Sequence, residues 1–332
     1  MHIYYHTEQL PAFRKAVVTI GSFDGVHTGH VQILEQLKQE ADRIGGETVI
    51  VTFYPHPRKV VRSGTEVKLL NTLEEKIRLL SWRQIRHLVV VPFTEDFSQL
   101  TAEDYIREFL LKKFHPHTVI IGYDHRYGKG RQGDYQLLEQ FSQSEGFQLQ
   151  EIPVHLLDAV SVSSSRIREA IAQADLKEAN RLLGYPYFFS GQVVEGRRLG
   201  RTIGFPTANL RVGDPEKLIP ADGVYAVEVT PLDSSAISLT APATVVAPPV
   251  APWVGAGCKG MMNIGVRPTV DGRERTIEVN LFDWKEDLYG RELQVSVRQY
   301  LRGEQKFEGL QALKAQLARD KADALTALTP SS

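Results

Sequence analysis

The sequence predicts an α/β chain in two parts: a doubly wound parallel sheet, then a small barrel or sandwich of short strands with a terminal helix. Three observations carry that prediction. The first half alternates short apolar runs with stretches of helical period, the pattern of parallel strands joined by crossover helices. The second half loses that alternation and becomes short β-type runs separated by Gly, Pro and Asp. The chain of 332 residues has the length of about two domains, and its character changes at Gly184-Tyr185-Pro186.

The elements follow in order. Ala16-Val17-Val18-Thr19-Ile20 reads as a buried strand ended by Gly21. Val31, Leu34, Leu37, Ala41 and Ile44 then recur at helical spacing, in a helix expected to begin at about His30 and to stop at Gly45-Gly46. A strand at 48–53 is stopped by Pro55 and Pro57. The pattern continues with a helix at 73–82, a strand at 87–91, a helix at 102–113, a strand at 118–121, a helix at 134–144 and a strand at 148–154. Right-handed crossovers make a doubly wound sheet the default topology. Two short helical patterns occupy 164–183. Beyond them come β-type runs at 188–194, 224–229, 261–264, 276–282 and 293–300, and an amphipathic helix at 307–325. Residues 234–257, rich in Ala, Pro and Val and almost uncharged, read as an irregular insertion between two strands.

Composition narrows the function classes. Hydrophobic residues at 42% and charged residues at 24% are ordinary globular usage and argue against a disordered chain. With 39 Lys+Arg against 40 Asp+Glu the net charge is -1, so no bulk field draws the chain to nucleic acid or to an anionic membrane. The lone Cys258 excludes an intramolecular disulfide framework and a Cys-based zinc cluster, and fits a reducing compartment. The first residues, with His2, His6, Glu8 and Arg14, lack the apolar core of a signal peptide. No run approaches the ~18 apolar residues of a membrane span, and a cytoplasmic protein is expected.

The first strand runs into Gly21-Ser22-Phe23-Asp24-Gly25-Val26-His27-Thr28-Gly29-His30. Glycines let the backbone approach a ligand, and a helix N-terminus offers unpaired N–H groups and partial positive charge to an anion. His27 and His30, three residues apart, can both donate to phosphate oxygens. A plain turn with two solvent-facing histidines competes with this reading. A metal site is the weaker rival, since no third ligand lies nearby in sequence. The position favours a ligand, because α/β sheets bind ligands at strand C-termini.

Ser163-Ser164-Ser165-Arg166 opens a later helix, where hydroxyls can cap the helix or bond a phosphate and Arg166 adds a charged fork. Because it follows the last strand of the same sheet, its loop is expected at the same edge as His27 and His30. The glycine-punctuated loop 122–134 carries Asp124, Arg126, Lys129 and Arg131, and reads equally as a ligand loop or a solvated basic loop. His56, in the segment 52–57, stays open between exposure and function.

In the second half, Gly196, Gly200 and Gly204 punctuate a loop that leads into Phe205-Pro206-Thr207-Ala208-Asn209. Thr207 and Asn209 alternate onto one face of an extended segment, where a hydroxyl and an amide oxygen suit Mg²⁺ carried by a nucleotide. A hairpin with turn glycines and a basic tip is the alternative. Glu278 sits in a β-type run among apolar neighbours, so its carboxylate is either paired structurally or held as a base.

The first motif, with Gly21, Phe23, Asp24, Gly25, His27, Gly29 and His30, looks like the HxGH nucleotidyltransferase signature. Together with 53–57, the 122–134 loop and Ser163 to Arg168, it resembles the FAD synthetase module of the prokaryotic bifunctional riboflavin kinase/FAD synthetase family. The second half resembles riboflavin kinase, through the glycine-rich loop of Gly196, Gly200, Thr202 and Gly204, the Pro-Thr-Ala-Asn segment and Glu278. The resemblance covers roughly 13–230 and 260–325. It implies a Rossmann-like nucleotidyltransferase domain at 1–183 and a kinase domain at 184–332, a small β-barrel with a terminal helix. Four positions depart from the family: Ser22 replaces the usual Asn, His125 and Tyr127 replace Phe, and Asn280 replaces a frequent His. The insertion at 234–257 is also longer than the usual hairpin.

The roles implied are specific. Glu278, His27 and His30 would be catalytic, with Thr207 and Asn209 holding Mg²⁺ and, together with Gly196, Gly200, Thr202 and Gly204, binding ATP for the kinase step. Gly21, Phe23, Asp24, Gly25, Gly29, Ser163, Ser164, Ser165 and Arg166 would bind ATP for adenylyl transfer, and Asp124 and Arg126 would lie in the flavin or nucleotide loop. Riboflavin, FMN, FAD, ATP and ADP are the expected partners, with no nucleic acid and no membrane, and a homo-oligomer is compatible. A regulator that only binds nucleotide would be expected to lack one of His27, His30 or Glu278, and none is missing.

Overall fold

The computed structural model describes residues 1–61, 67–123, 125–152, 162–196, 200, 203–232, 243–245, 257–269 and 272–329. Its elements are, in order, β1 (His2–Tyr4), β2 (Ala16–Ile20), α1 (Thr28–Ile44), β3 (Glu47–Tyr54), α2 (Pro57–Val61), α3 (Leu73–Trp82), β4 (His87–Pro92), α4 (Glu95–Ser98) and α5 (Ala102–Asp104). A π-helical stretch, Tyr105–Leu111, leads into α6 (Lys112–Phe114), β5 (Thr118–Gly122), α7 (Tyr135–Glu145), β6 (Gln148–Ile152), α8 (Ser164–Ala172) and α9 (Leu176–Leu183). Then follow β7 (Phe188–Val194), β8 (Ala208–Arg211), β9 (Gly223–Leu232), β10 (Ala243–Thr244), β11 (Cys258–Thr269), β12 (Gly272–Leu281), β13 (Glu292–Arg302) and α10 (Leu310–Ala327). They form two compact units, residues 1–163 with 237–249, and residues 164–236 with 250–332.

The first unit holds a seven-stranded sheet in the order β10-β1-β4-β3-β2-β5-β6, parallel throughout except for β10. All five residues of β2 are buried, as a strand covered by helices on both faces must be. From β2 the chain builds outward to β3 and β4 on one side and to β5 and β6 on the other. The direction therefore reverses beside β2, and the ends of β2 and β5 open the crevice where such sheets bind ligands.

Local chemistry sets the helix limits. The helix expected from about His30 begins at Thr28, because the His27 side chain accepts the His30 N–H at 3.3 Å and so becomes its N-cap. The start of α3 is a capping box, with Thr72 and Glu75 each bonding the other's backbone N–H at 3.2 and 3.0 Å. The single helix expected at 102–113 is π-helical in its middle. That stretch turns Tyr105, Ile106 and Phe109 onto a core with Val18, Val49, Phe53, Val119 and Ile121.

Two residues of the expected irregular insertion form β10 and add antiparallel to β1. The Met1 amine donates to the Val245 carbonyl at 2.6 Å, and the Val245 N–H donates back to Met1 at 2.8 Å. The insertion residues 234–242 and 246–256 lie outside the described residues.

In the second unit the short strands close into a barrel, β11-β12-β8-β7-β13-β9, which settles the barrel-or-sandwich alternative. Two register shifts in β13, between Val297 and Gln299 and between Tyr300 and Arg302, let it bend around the wall. The terminal helix α10 covers one side, with Ala324 and Leu328 packed on Ala226, Met261 and Phe282. A two-pronged ion pair from Arg302 to the buried Asp320, at 2.8 and 2.6 Å, ties that helix to β13.

Helices α8 and α9 pack with this second unit. Asn180 donates to the Val297 carbonyl at 3.0 Å and accepts the Tyr187 N–H at 2.7 Å, so α9 satisfies backbone groups of the barrel itself. A fragment 164–332 is therefore expected to melt above a fragment 184–332, by roughly 2–4 °C for each kcal/mol that the two helices contribute. Equal melting temperatures would show that α8 and α9 add nothing to the barrel.

Candidate functional sites

The first site grows out of the C-terminal end of β2. Gly21 keeps one sheet bond, donating to the Val51 carbonyl at 3.0 Å, and the chain then turns sharply. Phe23, Gly25 and Val26 all have positive φ, at 47°, 91° and 37°. The left-handed region suits Gly25 but costs energy for Phe23 and Val26, and such strain collects at functional turns. Asp24, only 1% exposed, anchors the turn: its carboxylate accepts the N–H groups of Leu70 and Asn71 at 3.0 and 3.2 Å. That places Asp24 as a brace between this turn and the residues leading into α3.

The turn delivers both histidines to the start of α1, with Gly29 between them. Their rings stack at a centroid distance of 3.7 Å and an angle of 17°, and the Phe23 ring lies 5.0 Å from that of His30. Burial first, then His27 and Lys76, pull the His30 pKa well below its ordinary value, so the ring is neutral near pH 7. Its Nδ1 is buried without a hydrogen-bond partner among the described residues.

Lys76 was not legible as a site residue. It lies on α3 and is 6% exposed, with its ammonium donating to the Ser22 carbonyl at 2.7 Å and reaching Thr52 Oγ1 at 3.5 Å. Burial lowers its pKa to about 8 against the opposing pull of Asp24. A signal existed: Lys76 follows Leu73 by three and precedes Ile77 by one, on the apolar stripe of its helix.

The neighbouring strand ends are less committed. His56 is buried, and its Nδ1 accepts the Arg58 N–H at 3.2 Å at the start of α2. After β5, Tyr127 pairs with Gly133 and closes the 122–134 loop, and Arg126 pairs with Asp134 at 3.1 Å. Burial, then Arg131, lowers the pKa of His125 to about 4, so its ring serves as neutral packing against Tyr127. Asp124 lies outside the described residues. Ser164, Ser165 and Arg166 open α8 in the second unit, where Arg166 pairs with Glu178 at 2.8 Å. The structure thus brings Gly21, Phe23, Asp24, Gly25, His27, Gly29 and His30 together, and places Ser164 to Arg166 with the other unit.

The second site lies on the outer face of the barrel. Glu278 on β12 stands opposite Asn209 on β8 and opposite Asn263 on β11. Residues directly opposite in antiparallel strands share a face, with Cβ atoms about 4.5–5.5 Å apart. Ile277 and Val279, at 7% and 0% exposure, point inward, so Glu278 and the two asparagines point out. Thr207 precedes Asn209 by two residues and continues the same face. A Cβ at Gly196 would overlap the Asn209 amide, so only glycine admits that side chain where it lies. The Phe205 N–H donates to the Gly200 carbonyl at 2.8 Å, which sets Gly200 against the Thr207 segment, and Gly204 takes φ 83° in between. Thr202 lies outside the described residues. Asn280 donates to the Pro206 carbonyl at 2.6 Å, which ties the Thr207–Asn209 segment to the strand of Glu278. The run from Asn263 is distinctive in sequence but suggests no role for that residue, and the strand register is what sets it beside Glu278.

Comparison with known proteins also divides the chain in two, with the first family model reaching three residues past the boundary between the two units. The FAD synthetase family model matches residues 10–166, and the riboflavin kinase family model matches residues 183–328. The bifunctional riboflavin kinase/FMN adenylyltransferase of Escherichia coli K12 is 37% identical over 92% of this chain and 90% of its own. The protein of that name from Haemophilus influenzae is 35% identical over 91% of each, and that from Listeria monocytogenes 35% identical over 92% and 90%. A solved structure from Streptococcus pneumoniae, described as a macrolide-efflux protein, superposes over 97% of this chain and 98% of its own, with a TM-score of 0.82 and 27% identity. Among the described residues, no helix here is long and apolar enough to cross a membrane.

Proposed function

The chain belongs to the bifunctional riboflavin kinase/FMN adenylyltransferase family, and we propose that its two reactions take place at the two sites just described. Its C-terminal part converts riboflavin and ATP to FMN and ADP, and its N-terminal part converts FMN and ATP to FAD and pyrophosphate. Both are phosphorus transfers, in which positioning and charge stabilisation supply most of the catalysis.

In the kinase step Glu278 takes the proton of the ribityl hydroxyl as its oxygen attacks the γ-phosphorus. The observation that supports this is the register of Glu278 with Asn209, which sets a carboxylate beside the Pro-Thr-Ala-Asn segment on one face. Thr207 and Asn209 offer a hydroxyl and an amide oxygen, hard donors suited to a Mg²⁺ that arrives with ATP. When bound, that ion supplies neutralisation of the phosphate charge.

In the adenylyl step the FMN phosphate attacks the α-phosphorus of ATP, and the bond to the bridging oxygen breaks to release pyrophosphate. The nucleophile is already anionic and needs no strong base. It needs donors aimed at developing charge, here the His30 imidazole, His27 and the N–H groups that open α1. The stacked pair His27–His30 at the sheet's switch point supports this assignment. Ser163, Ser164, Ser165 and Arg166 are assigned to ATP, and Asp124 and Arg126 to the flavin nucleotide. The use of ATP in both steps supports a cytoplasmic setting.

The fragment 164–332, assayed separately for the two reactions, is expected to form FMN and no FAD. The sequence places the kinase at 184–332, and a fragment from 184 is expected to keep that activity at lower stability. A fragment 164–332 that melts cooperatively yet forms no FMN would overturn the assignment of Glu278 and the barrel face to the kinase.

A further inference from the structure

We propose that Lys76 is a positioning residue for adenylyl transfer, tying the Ser22 carbonyl to β3 and placing a positive charge behind the His27–His30 turn. The proposal rests on the reading that this turn is the adenylyl-transfer site.

The geometry around the ammonium is one-sided. A lysine ammonium has three N–H donors, and here two have partners, the Ser22 carbonyl at 2.7 Å and Thr52 Oγ1 at 3.5 Å. Thr52 itself donates to the same Ser22 carbonyl at 3.2 Å, so one oxygen of the turn is gripped from β3 and from α3 together. Among the described residues no carboxylate forms an ion pair with Lys76. Asp24 is the acidic group that acts on it, and that carboxylate is already engaged by the Leu70 and Asn71 N–H groups. A buried cation without a close counter-ion is costly for folding alone, and its retention fits a site built to receive anions.

Two consequences follow for the turn. Ser22 is the residue from which the chain enters its run of positive φ, so the grip on its carbonyl fixes where that run starts. The charge also reaches His30, whose ionisable neighbours are His27 at its own helix start, Lys76 on α3, and Asp24 beyond Lys76. Both His27 and Lys76 oppose a proton on His30. The lysine thus adds to burial and to His27 in keeping the ring neutral, while holding positive charge behind it.

The test uses the full chain. Lys76→Met is expected to lower kcat for FAD formation from FMN and ATP by roughly 10²-fold, the size of a misplaced catalytic group, with the KM for FMN little changed. FMN formation from riboflavin at the barrel is expected to continue at the wild-type rate. Followed by NMR, the His30 ring is expected to take up its proton at higher pH in Lys76→Met than in the wild type, with the melting temperature measured alongside, because loosening of the fold would relieve burial and shift the ring in the same direction. Lys76→Arg, which keeps the charge and can donate to the same carbonyl, is expected to recover most of the rate and the wild-type titration. Where the Met variant does not fold, Lys76→Gln, uncharged but still a donor, carries the same expectation. A wild-type kcat, an unmoved His30 titration, or an equal loss of FMN formation would each overturn the proposal. His30→Ala in parallel separates the failures: if it leaves FAD formation intact, the site reading falls. If it abolishes FAD formation while Lys76→Met does not, only the role of Lys76 falls.

Discussion

Glu278→Gln is expected to lower FMN formation by roughly 10²–10⁴-fold while FAD synthesis from supplied FMN continues at the wild-type rate. A primary alcohol is a weak nucleophile at neutral pH, and a carboxylate within hydrogen-bond reach of it supplies the missing basicity. Gln keeps the shape of Glu and its ability to accept a hydrogen bond, so the strand pairing with Asn209 and Asn263 should survive. The fall should then appear in kcat, with riboflavin binding little altered. Phosphoryl transfer passes through a loose transition state that draws less on a base, which places the expected loss nearer the lower end of that range. Single-turnover measurement isolates the chemical step from product release. A Gln variant that phosphorylates riboflavin at the wild-type single-turnover rate would reduce Glu278 to a structural partner of the strand.

The parts of the fold legible in the sequence are those set by local period. The run 16–20 announces β2 because a strand buried on both faces has no polar alternation to blur it. The helix at 73–82 is read to its limits because its capping box and apolar stripe agree. What local period cannot supply is partnership across the chain. That β10 lies against β1, pairing Thr244 with His2, has no sequence signature, since two residues in a Pro-rich stretch carry no pattern. Closure of the barrel likewise depends on β11 meeting both β12 and β9, pairings that spacing does not encode.

The sites show the same division. The motif from Gly21 to His30 is legible as a set because glycines, histidines and a strand end must coincide to hold phosphate. Within it, spacing does not reveal which residues also brace the turn: Asp24 reads as a binding residue, and its carboxylate holds the backbone N–H groups of Leu70 and Asn71. Lys76 is easily missed for the opposite reason: a lysine on a helix normally marks the solvated face, and its place on the apolar stripe is a weak signal that burial makes plain. In the barrel, Thr207, Asn209 and Glu278 are each visible as candidates, and the register of β8 with β12 is what makes them one face.

His30→Ala is expected to lower FAD formation by roughly 10²–10³-fold and to leave FMN formation unchanged, the cost of removing one donor aimed at developing charge. The structure gives a reason to expect this variant to fold. The hydrogen bond that caps α1 runs from the His30 backbone N–H to the His27 ring, so alanine keeps it. The His30 Nδ1 has no partner among the described residues, so removing it strands no other polar group there. What alanine gives up is packing against His27 and Phe23, at centroid distances of 3.7 and 5.0 Å. His27→Ala should behave differently: it removes the N-cap as well as a donor, and is expected to cost about 1 kcal/mol of stability besides activity. The pair of variants therefore separates a kinetic role from a structural one within a single turn. A His30→Ala enzyme with unchanged melting temperature that loses both activities equally would show that the two reactions do not have separate sites, and one that keeps wild-type FAD formation would remove the His30 imidazole from the chemistry.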